Sequence, residues 1–447
     1  MSPHKQREVD LLVTGGLVVT LDDEWTVVED GAIAIEDGAI VSVDPSTTVQ
    51  ADYTASENVD AAGHIVMPGL VNAHTHAATS LFRGFADDRP LKEWLEQYIW
   101  PAEQEFVNPD TVRWGTLLAM AEMLRVGVTL FVDMYFHEEM VAEAAIQSGM
   151  RVVLGELLFD IAGPNMLAFD RALDCNRDLL ERYRDVSHVS VSVQPHSTYT
   201  VSPDNLVKAK ALADEYGALF GLHASETAQE VADVRARTGF SPVRLLDNLA
   251  LLGPSVLLFH GVHLDDEEIE LLAETATGVV HCPEANLKLA SGIARLPDLL
   301  GGGVRVGLGT DGPASNNDFN MWGEIQTAAK IHRGAGQDMM ATSAKQIVYM
   351  ATRAGADLLG FGNEIGSLEP GKRADIILID LDQPHLVPMY DVYSHLAYAV
   401  GRSDVTTTII DGRLVMRNRR LLTLDEDEVV GNAREVSRKI RQWLATR

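Results

Sequence analysis

Histidines and one aspartate stand at the ends of strand-like segments in the middle of this 447-residue chain. The segment GLVNAHTH ends in His74 and His76, and their two-residue spacing turns both imidazoles to the same side of a strand. Later segments end in His196, His223, His260 with His263, His281, and Asp311. Imidazole with carboxylate suits Zn²⁺ or Fe²⁺ better than Mg²⁺, which prefers oxygen ligands. One such histidine is usually structural, but so many strand ends of this kind predict a metal site.

Eight strand-like segments alternate with helical ones between about residues 68 and 370. Most are nearly continuous runs of Val, Leu and Gly, as expected for parallel strands buried on both faces. The segments are GLVNAH, VTLFVDMYF, MRVVLGELLF, VSVSVQPH, ALFGLHAS, VLLFHGVH, GVVHCP and VRVGLGTD. Eight strand–helix units predict an α/β fold, a (β/α)8 TIM barrel, whose active site lies at the carboxyl ends of the strands.

The two ends of the chain differ in pattern from the middle. Apolar runs such as LLVTGGLVVT and HIVMPG, separated by Gly and Asp turns, predict strands before the barrel. ADIILIDLD and TTTIIDGRLVMRN predict strands after it, followed by a charged terminal helix. We therefore expect residues 1–66 and 371–447 to form a small β-sandwich domain, with the terminal helix in the second part. Residues 67–370 are expected to form the barrel.

Composition excludes several classes of protein. Hydrophobic residues make up 46% of the chain, enough for a large packed core. A net charge of −29 repels phosphate backbones, so we expect no nucleic-acid partner. No apolar run is long enough to span a membrane and no signal peptide is visible, while two cysteines fit a reducing compartment. We expect a cytoplasmic protein. Its acid excess and preference for Arg over Lys resemble proteins from high-salt cytoplasm.

Several motifs carry a family resemblance. PGLVNAHTH, HASET, HGVH and GTDGPASNN resemble the amidohydrolase superfamily, which are metal-dependent hydrolases on a (β/α)8 barrel. LFRG, IWPAE, VDMYFHEE, PHSTYT and NLKLASG resemble the 5′-methylthioadenosine/S-adenosylhomocysteine deaminases within it. The resemblance covers essentially the whole chain. Triazine hydrolases and guanine deaminases share several of these blocks.

The resemblance implies hydrolytic deamination of an adenosine-type nucleoside to the inosine-type product and ammonia. Candidate substrates are 5′-methylthioadenosine, S-adenosylhomocysteine, 5′-deoxyadenosine and adenosine. One alternative is another amidohydrolase reaction, such as deamination of guanine or another base, or dechlorination of a triazine-type ring. A non-catalytic metal-binding relative is an alternative of a different class. Relatives commonly form homo-oligomers, so we expect one here.

The resemblance also implies one divalent metal ion per subunit. The family pattern makes His74, His76, His223 and Asp311 the ligands. His196 stands in the strand where two-metal members carry a bridging lysine, so a single ion is expected. Zn²⁺ is the expected metal, and Fe²⁺ or Mn²⁺ would suit the same donors. We interpret Cys282, beside His281, as structural.

Three residues have catalytic roles in this interpretation. Glu226 lies three residues after His223 in HASE and would protonate the ring nitrogen beside the reacting carbon, its alternative being a surface loop carboxylate. Asp311 would take the proton of the attacking water and pass it to the departing ammonia. His260 would orient that water or stabilise developing charge, and it could instead bind a second metal.

Further residues would contact the nucleoside. Glu103 in IWPAE matches a family glutamate that accepts hydrogen bonds from the ribose 2′- and 3′-hydroxyls, and a helix-surface glutamate is the alternative. His196 would contact the ribose or purine N3, or be structural. Glu156 stands where the family has an arginine facing the anionic tail of the substrate. Arg171 matches a second family arginine and would hold a homocysteine carboxylate alone, unless it is a solvated helix residue. Glu156 favours substrates that lack this carboxylate.

Overall fold

The computed structural model describes residues 6–89, 91–161, 163–165 and 167–446. The strands are Arg7–Val19 (β1), Val27–Glu36 (β2), Ala39–Pro45 (β3), Tyr53–Asp60 (β4), His64–Pro68 (β5), Leu70–Thr75 (β6), Val128–Tyr135 (β7), Arg151–Leu158 (β8), Val189–Val191 (β9), Gln194–Pro195 (β10), Phe220–Ala224 (β11), Val256–His260 (β12), Gly278–His281 (β13), Val306–Leu308 (β14), Ile376–Asp380 (β15), Val405–Ile410 (β16), Arg413–Arg417 (β17) and Arg420–Leu421 (β18).

The helices are Ser46–Asp52 (α1), Leu91–Trp94 (α2), Trp100–Phe106 (α3), Pro109–Val126 (α4), Glu138–Ser148 (α5), Phe169–Arg182 (α6), Pro203–Tyr216 (α7), Ala228–Thr238 (α8), Pro242–Asn248 (α9), Asp266–Glu274 (α10), Pro283–Lys288 (α11), Leu296–Gly301 (α12), Met321–Gly336 (α13), Ala344–Met350 (α14), Arg353–Leu358 (α15), Val392–Tyr398 (α16) and Glu426–Leu444 (α17). Three short helical segments of other pitch are Ala77–Phe82, Leu95–Ile99 and Pro384–Leu386. None of the helices described here is long and apolar enough to cross a membrane.

Strands β6 to β14 form the predicted (β/α)8 barrel. They pair in parallel in two arcs, one from β6 to β10 and one from β11 to β14. Parallel bridges between Val193 and Phe220 and between Ser197 and His223 connect the arcs. On the other side, the Asp311 amide donates to the His74 carbonyl at 3.0 Å, next to β14 and β6. The fourth predicted strand is split into β9 and β10, which both pair in parallel with β8, and the Val193 bridge to β11 lies between them.

The two chain ends share one sheet. This nine-stranded sheet has the order β18-β17-β16-β15-β5-β1-β2-β3, with β4 also paired to β1. Strand β5 joins the two halves because it pairs in parallel with β1 and antiparallel with β15. The small domain predicted from both ends is therefore built around a continuous sheet. Its division from the barrel near residues 66 and 370 stays a prediction.

Packing explains why the barrel strands read as apolar runs in the sequence. Every residue of β7 and β8 is buried, as parallel strands covered by helices on the outside require. Helix α4 begins at the Asn108 N-cap, whose side chain accepts from the amides of Asp110 and Thr111. Its buried face covers the barrel, and the terminal helix α17 packs against it. The helices therefore fix the strands, and the strands position the residues at their carboxyl ends.

Candidate metal centre and active site

Five predicted site residues meet at the carboxyl ends of the barrel strands. His74 and His76 come from β6, His223 from β11, His260 from β12, and Asp311 follows β14. Ligand atoms of His74, His223 and His260 lie within 4.8 Å of one another, and so do those of His74, His76 and Asp311. Because both groups include His74, they form one cluster, which we call the metal cluster.

Hydrogen bonds fix which ring nitrogen faces the metal cluster. The Nδ1 of His76 contacts the Met134 carbonyl at 2.6 Å, and that of His223 contacts the His196 carbonyl at 2.7 Å. The Nδ1 of His260 contacts Oδ1 of Asn286 at 2.9 Å. A partner on Nδ1 fixes the tautomer and the ring orientation, and leaves Nε2 free to bind a metal.

The chain comes very close to itself where Asp311 joins the metal cluster. Asp311 and His260 both have left-handed backbones, with φ of 61° and 73°. Gly312 follows, and a Cβ there would lie 2.5 Å from Thr79 Oγ1 and 2.9 Å from His76 Cβ. Non-glycine residues in this conformation are uncommon and concentrate at functional sites. These uncommon backbone conformations and the close approach of Gly312 bring the Asp311 carboxylate against His74 and His76.

The donor set fits a divalent metal such as zinc. Both ring nitrogens of His74 are buried without a hydrogen-bond partner, which costs ~1–3 kcal/mol per group if nothing binds them. Burial holds the pKa of His74 and of His223 well below the usual histidine value, so both are neutral, the form that binds metals. Burial favours a raised pKa for Asp311, but the hydrogen bond with His76 holds it well below its usual range. Burial lowers the pKa of His76, but its hydrogen bond with Asp311 raises it to about 9, so metal binding there displaces a proton. Neutral imidazoles with an ionised carboxylate are zinc ligands.

A cavity of about 330 Å³ opens over the metal cluster. It is lined by His76, His196, His223, His260, Glu226, Asp311 and Glu103, together with many apolar side chains. Ligand sites in proteins measure ~300–1,000 Å³ and combine apolar walls with a few polar groups. The structure therefore brings the predicted catalytic and substrate residues, apart from Arg171, to one cavity, and of the predicted metal ligands His74 alone is fully buried and does not line it.

Glu226 lies on this cavity and not on the protein surface. Its Oε1 accepts a hydrogen bond from Ser291 at 3.2 Å. Its backbone amide donates to Glu230 at 2.7 Å, and Glu230 also accepts from the Ser225 amide at 3.1 Å. The turn that carries Glu226 is therefore held from α8, and its carboxylate is oriented by a residue from the loop after α11.

Glu103 and His196 also line the cavity. The Tyr135 hydroxyl donates to Glu103 Oε1 at 2.7 Å, and burial raises the pKa of Glu103 to about 7. His196 stacks on Phe159 with 4.5 Å between ring centroids. Burial lowers the pKa of His196 to about 3, so its ring is neutral. Both side chains are thus polar groups in an otherwise aromatic wall.

Arg171 does not contribute to the cavity in this structure. Its side chain is 73% exposed on α6 and pairs with Asp174 at 3.2 Å. This is the alternative given above, a solvated helix arginine. Glu156 also points away, since its carboxylate accepts from the amides of His137 and Glu138 at the start of α5.

Other strand-end residues have structural partners. His281 contacts Nε2 of His332 at 3.1 Å, and Cys282 is buried and unpaired. The Nε2 of His263 contacts the carbonyl of Ser291, the residue that donates to Glu226.

Sequence reasoning missed several residues that hold the site. Asn286 orients His260, Ser291 orients Glu226, and Tyr135 donates to Glu103. Phe259 stacks on His74 with 3.9 Å between ring centroids. Three of them lie in motifs already singled out, Asn286 and Ser291 in NLKLASG and Tyr135 in VDMYFHEE. The motifs gave the location of these residues but not their partners.

The fold and the metal cluster define the class of protein. A model of the amidohydrolase family matches residues 65–415, and the chain belongs to this family. Within it, the chain belongs with the 5-methylthioadenosine/S-adenosylhomocysteine deaminases. A relative of that name from Syntrophobacter fumaroxidans is 47% identical over 432 residues, which cover 97% of this chain and 98% of the relative.

Two further relatives agree with this placement. A 5-methylthioadenosine/S-adenosylhomocysteine deaminase from Haloarcula marismortui is 45% identical over 431 residues, covering 95% of this chain and 97% of the relative. The crystal structure of an adenosine deaminase from Xanthomonas campestris, with bound zinc, has a TM-score of 0.96 and 39% identity. It covers 98% of this chain and 100% of that chain. Together with the donor set, it identifies the metal cluster as a divalent-metal site suited to zinc.

Proposed function

We propose that this protein is a metal-dependent enzyme that hydrolyses the 6-amino group of adenosine-type nucleosides to give the inosine-type product and ammonia. The observation that carries the proposal is the shared cavity. It holds a metal cluster, a buried carboxylate beside it in Glu226, and a second carboxylate in Glu103 on the aromatic side. The purine ring and the ribose of one nucleoside therefore each have polar groups to bind them in the same cavity. The names of the relatives support the same reaction.

The residues proposed to hold one divalent ion are His74, His76, His223 and Asp311. When bound there, the ion supplies Lewis acidity, which makes water a stronger nucleophile near neutral pH. His260 lies within reach of the same space and is proposed to orient the water. Its fixed Nδ1 contact with Asn286 leaves Nε2 available for that hydrogen bond.

Two carboxylates are proposed to move protons. Asp311 accepts the proton of the attacking water and delivers it to the departing ammonia, because it is ionised and lies beside the cluster. Glu226, in its protonated form, donates to the ring nitrogen adjacent to the reacting carbon, and it regains a proton from the newly attached hydroxyl when the carbonyl of the product forms. Ser291 and the turn held by Glu230 keep its carboxylate in place, so that little motion is needed during proton transfer.

The remaining polar groups are proposed to bind the ribose. Glu103, in its ionised form, has free lone pairs for two hydroxyl donors even while Tyr135 donates to Oε1. His196 is neutral and offers one ring nitrogen to the ribose or purine N3. A free base has no diol for Glu103, so these residues favour nucleosides over bases.

We also propose that the protein works in the cytoplasm as a homo-oligomer and does not bind nucleic acid. The strongly negative charge supports the last point, because a phosphate backbone would be repelled. Size-exclusion chromatography with light scattering tests the oligomer, and a single-chain mass would contradict it.

Ammonia release by the zinc-loaded protein tests the reaction. The substrates are 5′-methylthioadenosine, adenosine, adenine and guanine, with chloride release measured separately for a chlorotriazine and chelated protein as the control. The proposal predicts ammonia from the nucleosides and much less from the free bases. Guanine deamination or triazine dechlorination without nucleoside turnover would favour the alternative hydrolases. If the metal-loaded protein turns over none of these substrates, the result would favour a non-catalytic relative.

A further inference from the structure

The cavity wall away from the metal cluster is apolar and aromatic. Phe159 stacks on His196 and also on Phe136, with 6.2 Å between the latter ring centroids. Gly163 lies directly against this wall, since a Cβ there would lie 2.5 Å from a Phe136 ring carbon. Ile161 lines the cavity and is 70% exposed, which places it at the rim. The rings therefore form a continuous surface from the imidazoles to the opening.

Outside the metal cluster, the charged side chains that line this cavity are carboxylates. Glu103, Glu226 and Asp311 are the acids that line it, and no lysine or arginine lines it among the side chains that the structure describes. Arg171 is exposed and paired with Asp174, as shown above. The protein as a whole carries a net charge of −29. A ligand ammonium could be balanced by the acids, but a ligand carboxylate held at the aromatic wall, away from the metal cluster, would meet no cationic side chain among those described.

The loss of hydration on binding penalises a ligand carboxylate more than an uncharged group. A carboxylate that enters an apolar wall loses hydration and gains no hydrogen bond or counter-charge in return. An uncharged thioether, methyl or hydroxyl group carries no such cost, and the aromatic rings offer favourable contact to an apolar one.

We propose that this site selects adenosine-type nucleosides with an uncharged 5′ substituent and discriminates against a 5′ tail that carries a carboxylate. The inference rests on the proposed function. With the purine at the metal cluster and the diol at Glu103, the wall of Phe136, Phe159 and Ile161 is left for the 5′ substituent. Methylthio, deoxy and hydroxyl groups suit it, whereas the homocysteine tail of S-adenosylhomocysteine does not.

Three substrates separate charge from length. We would measure kcat/KM for 5′-methylthioadenosine, 5′-butylthioadenosine and S-adenosylhomocysteine, because the last two have tails of similar length and differ in charged groups. We expect kcat/KM for 5′-butylthioadenosine to be within a few-fold of that for 5′-methylthioadenosine. The value for S-adenosylhomocysteine should be about 10- to 100-fold below that for 5′-butylthioadenosine. S-adenosylhomocysteine equal to or better than butylthio would overturn the proposal. Equally poor turnover of both long tails would also overturn it, because size would then be the cause.

Failure of the proposed function gives a different result, since none of the three nucleosides would release ammonia. That result overturns both proposals, whereas turnover of all three without discrimination overturns only this one.

A variant that adds a cationic side chain at the cavity rim tests whether the lack of a cation causes the discrimination against the carboxylate. Ile161→Arg places a guanidinium at the rim, where exposure leaves room for it. We expect the S-adenosylhomocysteine to butylthioadenosine ratio of kcat/KM to rise about tenfold, mainly through a lower KM for the charged substrate. Ile161→Gln is the matched control, because it removes the apolar side chain without adding charge and should not raise the ratio. An unchanged ratio in Ile161→Arg would contradict the proposal.

Discussion

At the scale of residues, the site depends on hydrogen bonds that hold its functional side chains in position. Carbonyls of Met134 and His196 hold the rings of His76 and His223, and Ser291 holds Glu226. Such partners are as important to a metal or catalytic site as the groups that touch the substrate, because they fix tautomer and direction. Replacement of Glu226 and titration of Glu103 test the two proposed carboxylate roles separately.

The first residue-scale prediction concerns Glu226. Glu226→Gln preserves the shape of the side chain and can still accept from Ser291, but it cannot donate an acidic proton. We expect metal content at the wild-type level and kcat lower by about 10²–10⁴-fold. Metal analysis with ammonia release from 5′-methylthioadenosine measures both, and Gln229→Glu, on the exposed side of α8, controls for a charge change nearby. Undiminished turnover would remove Glu226 from the mechanism.

The second residue-scale prediction concerns pH. Glu103 has a pKa of about 7, raised by burial, and only its ionised form accepts both ribose hydroxyls. Nucleoside affinity is therefore fully present well above pH 7 and is lost as pH falls through 7, with KM rising about fivefold from pH 7 to 6. Glu103→Gln should weaken binding and flatten this dependence. A 2′,3′-dideoxyadenosine control has no diol, and an identical pH dependence for it would refute the assignment.

Residue types at strand ends could be predicted from sequence, but their partners could not. The two-residue spacing of His74 and His76 is a local property of a strand, and the structure brings both to the cavity. The Asn286 contact with His260 spans 26 residues and depends on where the loop after β13 turns. Arg171 could be placed on a helix, but its direction away from the cavity follows from how α6 packs on the barrel.

At the scale of elements, a buried ion-pair network connects the amino end of β8 to the end sheet. Arg151 is 3% exposed and pairs with Asp375 at 3.0 Å and with Asp411 at 2.9 Å. Asp375 precedes β15 and Asp411 lies between β16 and β17. The network therefore joins the barrel to the strands of the carboxyl-terminal segment, at the end of the barrel opposite the cavity.

This network gives an element-scale prediction. Arg151→Met leaves the buried carboxylate of Asp375 without its ion-pair partner, while Asp411 keeps its pair with Arg373, and the change costs ~3–5 kcal/mol of unfolding free energy. Urea denaturation should show that loss, while kcat per folded molecule stays the same because the site lies at the other end. Arg171→Met, an exposed pair, should cost only ~0–1 kcal/mol. Equal effects of the two variants would contradict the network.

Whether a segment is a helix or a strand could be predicted where the hydrophobic periodicity was strong. Whether a strand is continuous or interrupted could not. The fourth strand reads as one run, VSVSVQPH, yet the structure divides it at Ser192 and Val193. The Ser192 amide donates to Leu154 on β8, and the Val193 amide donates to Leu219 just before β11. Neighbouring amides of this segment therefore bond to the strands on either side, and the break between β9 and β10 depends on those long-range pairings, which a local pattern does not contain.

At the scale of the whole molecule, the net charge of −29 is the main feature. Excess like charge destabilises the compact state through self-repulsion, and salt screens it, with a Debye length of ~10 Å at 0.1 M and ~3 Å at 1 M. We predict that Tm rises by several degrees between 0.1 M and 2 M KCl, as differential scanning fluorimetry would show. Sucrose at matched osmolality is the control for solvent exclusion. A Tm that is flat or falls in KCl would argue against a high-salt adaptation.

The most direct test of the account is metal reconstitution during turnover. Protein freed of metal with a chelator should release no ammonia from 5′-methylthioadenosine. Added Zn²⁺ should restore ammonia release in proportion to bound metal, with saturation at one ion per chain and inosine-type product in equal amount. Activity in the metal-free protein, saturation only at two ions per chain, or zinc binding without ammonia release would contradict the proposed single-metal deaminase.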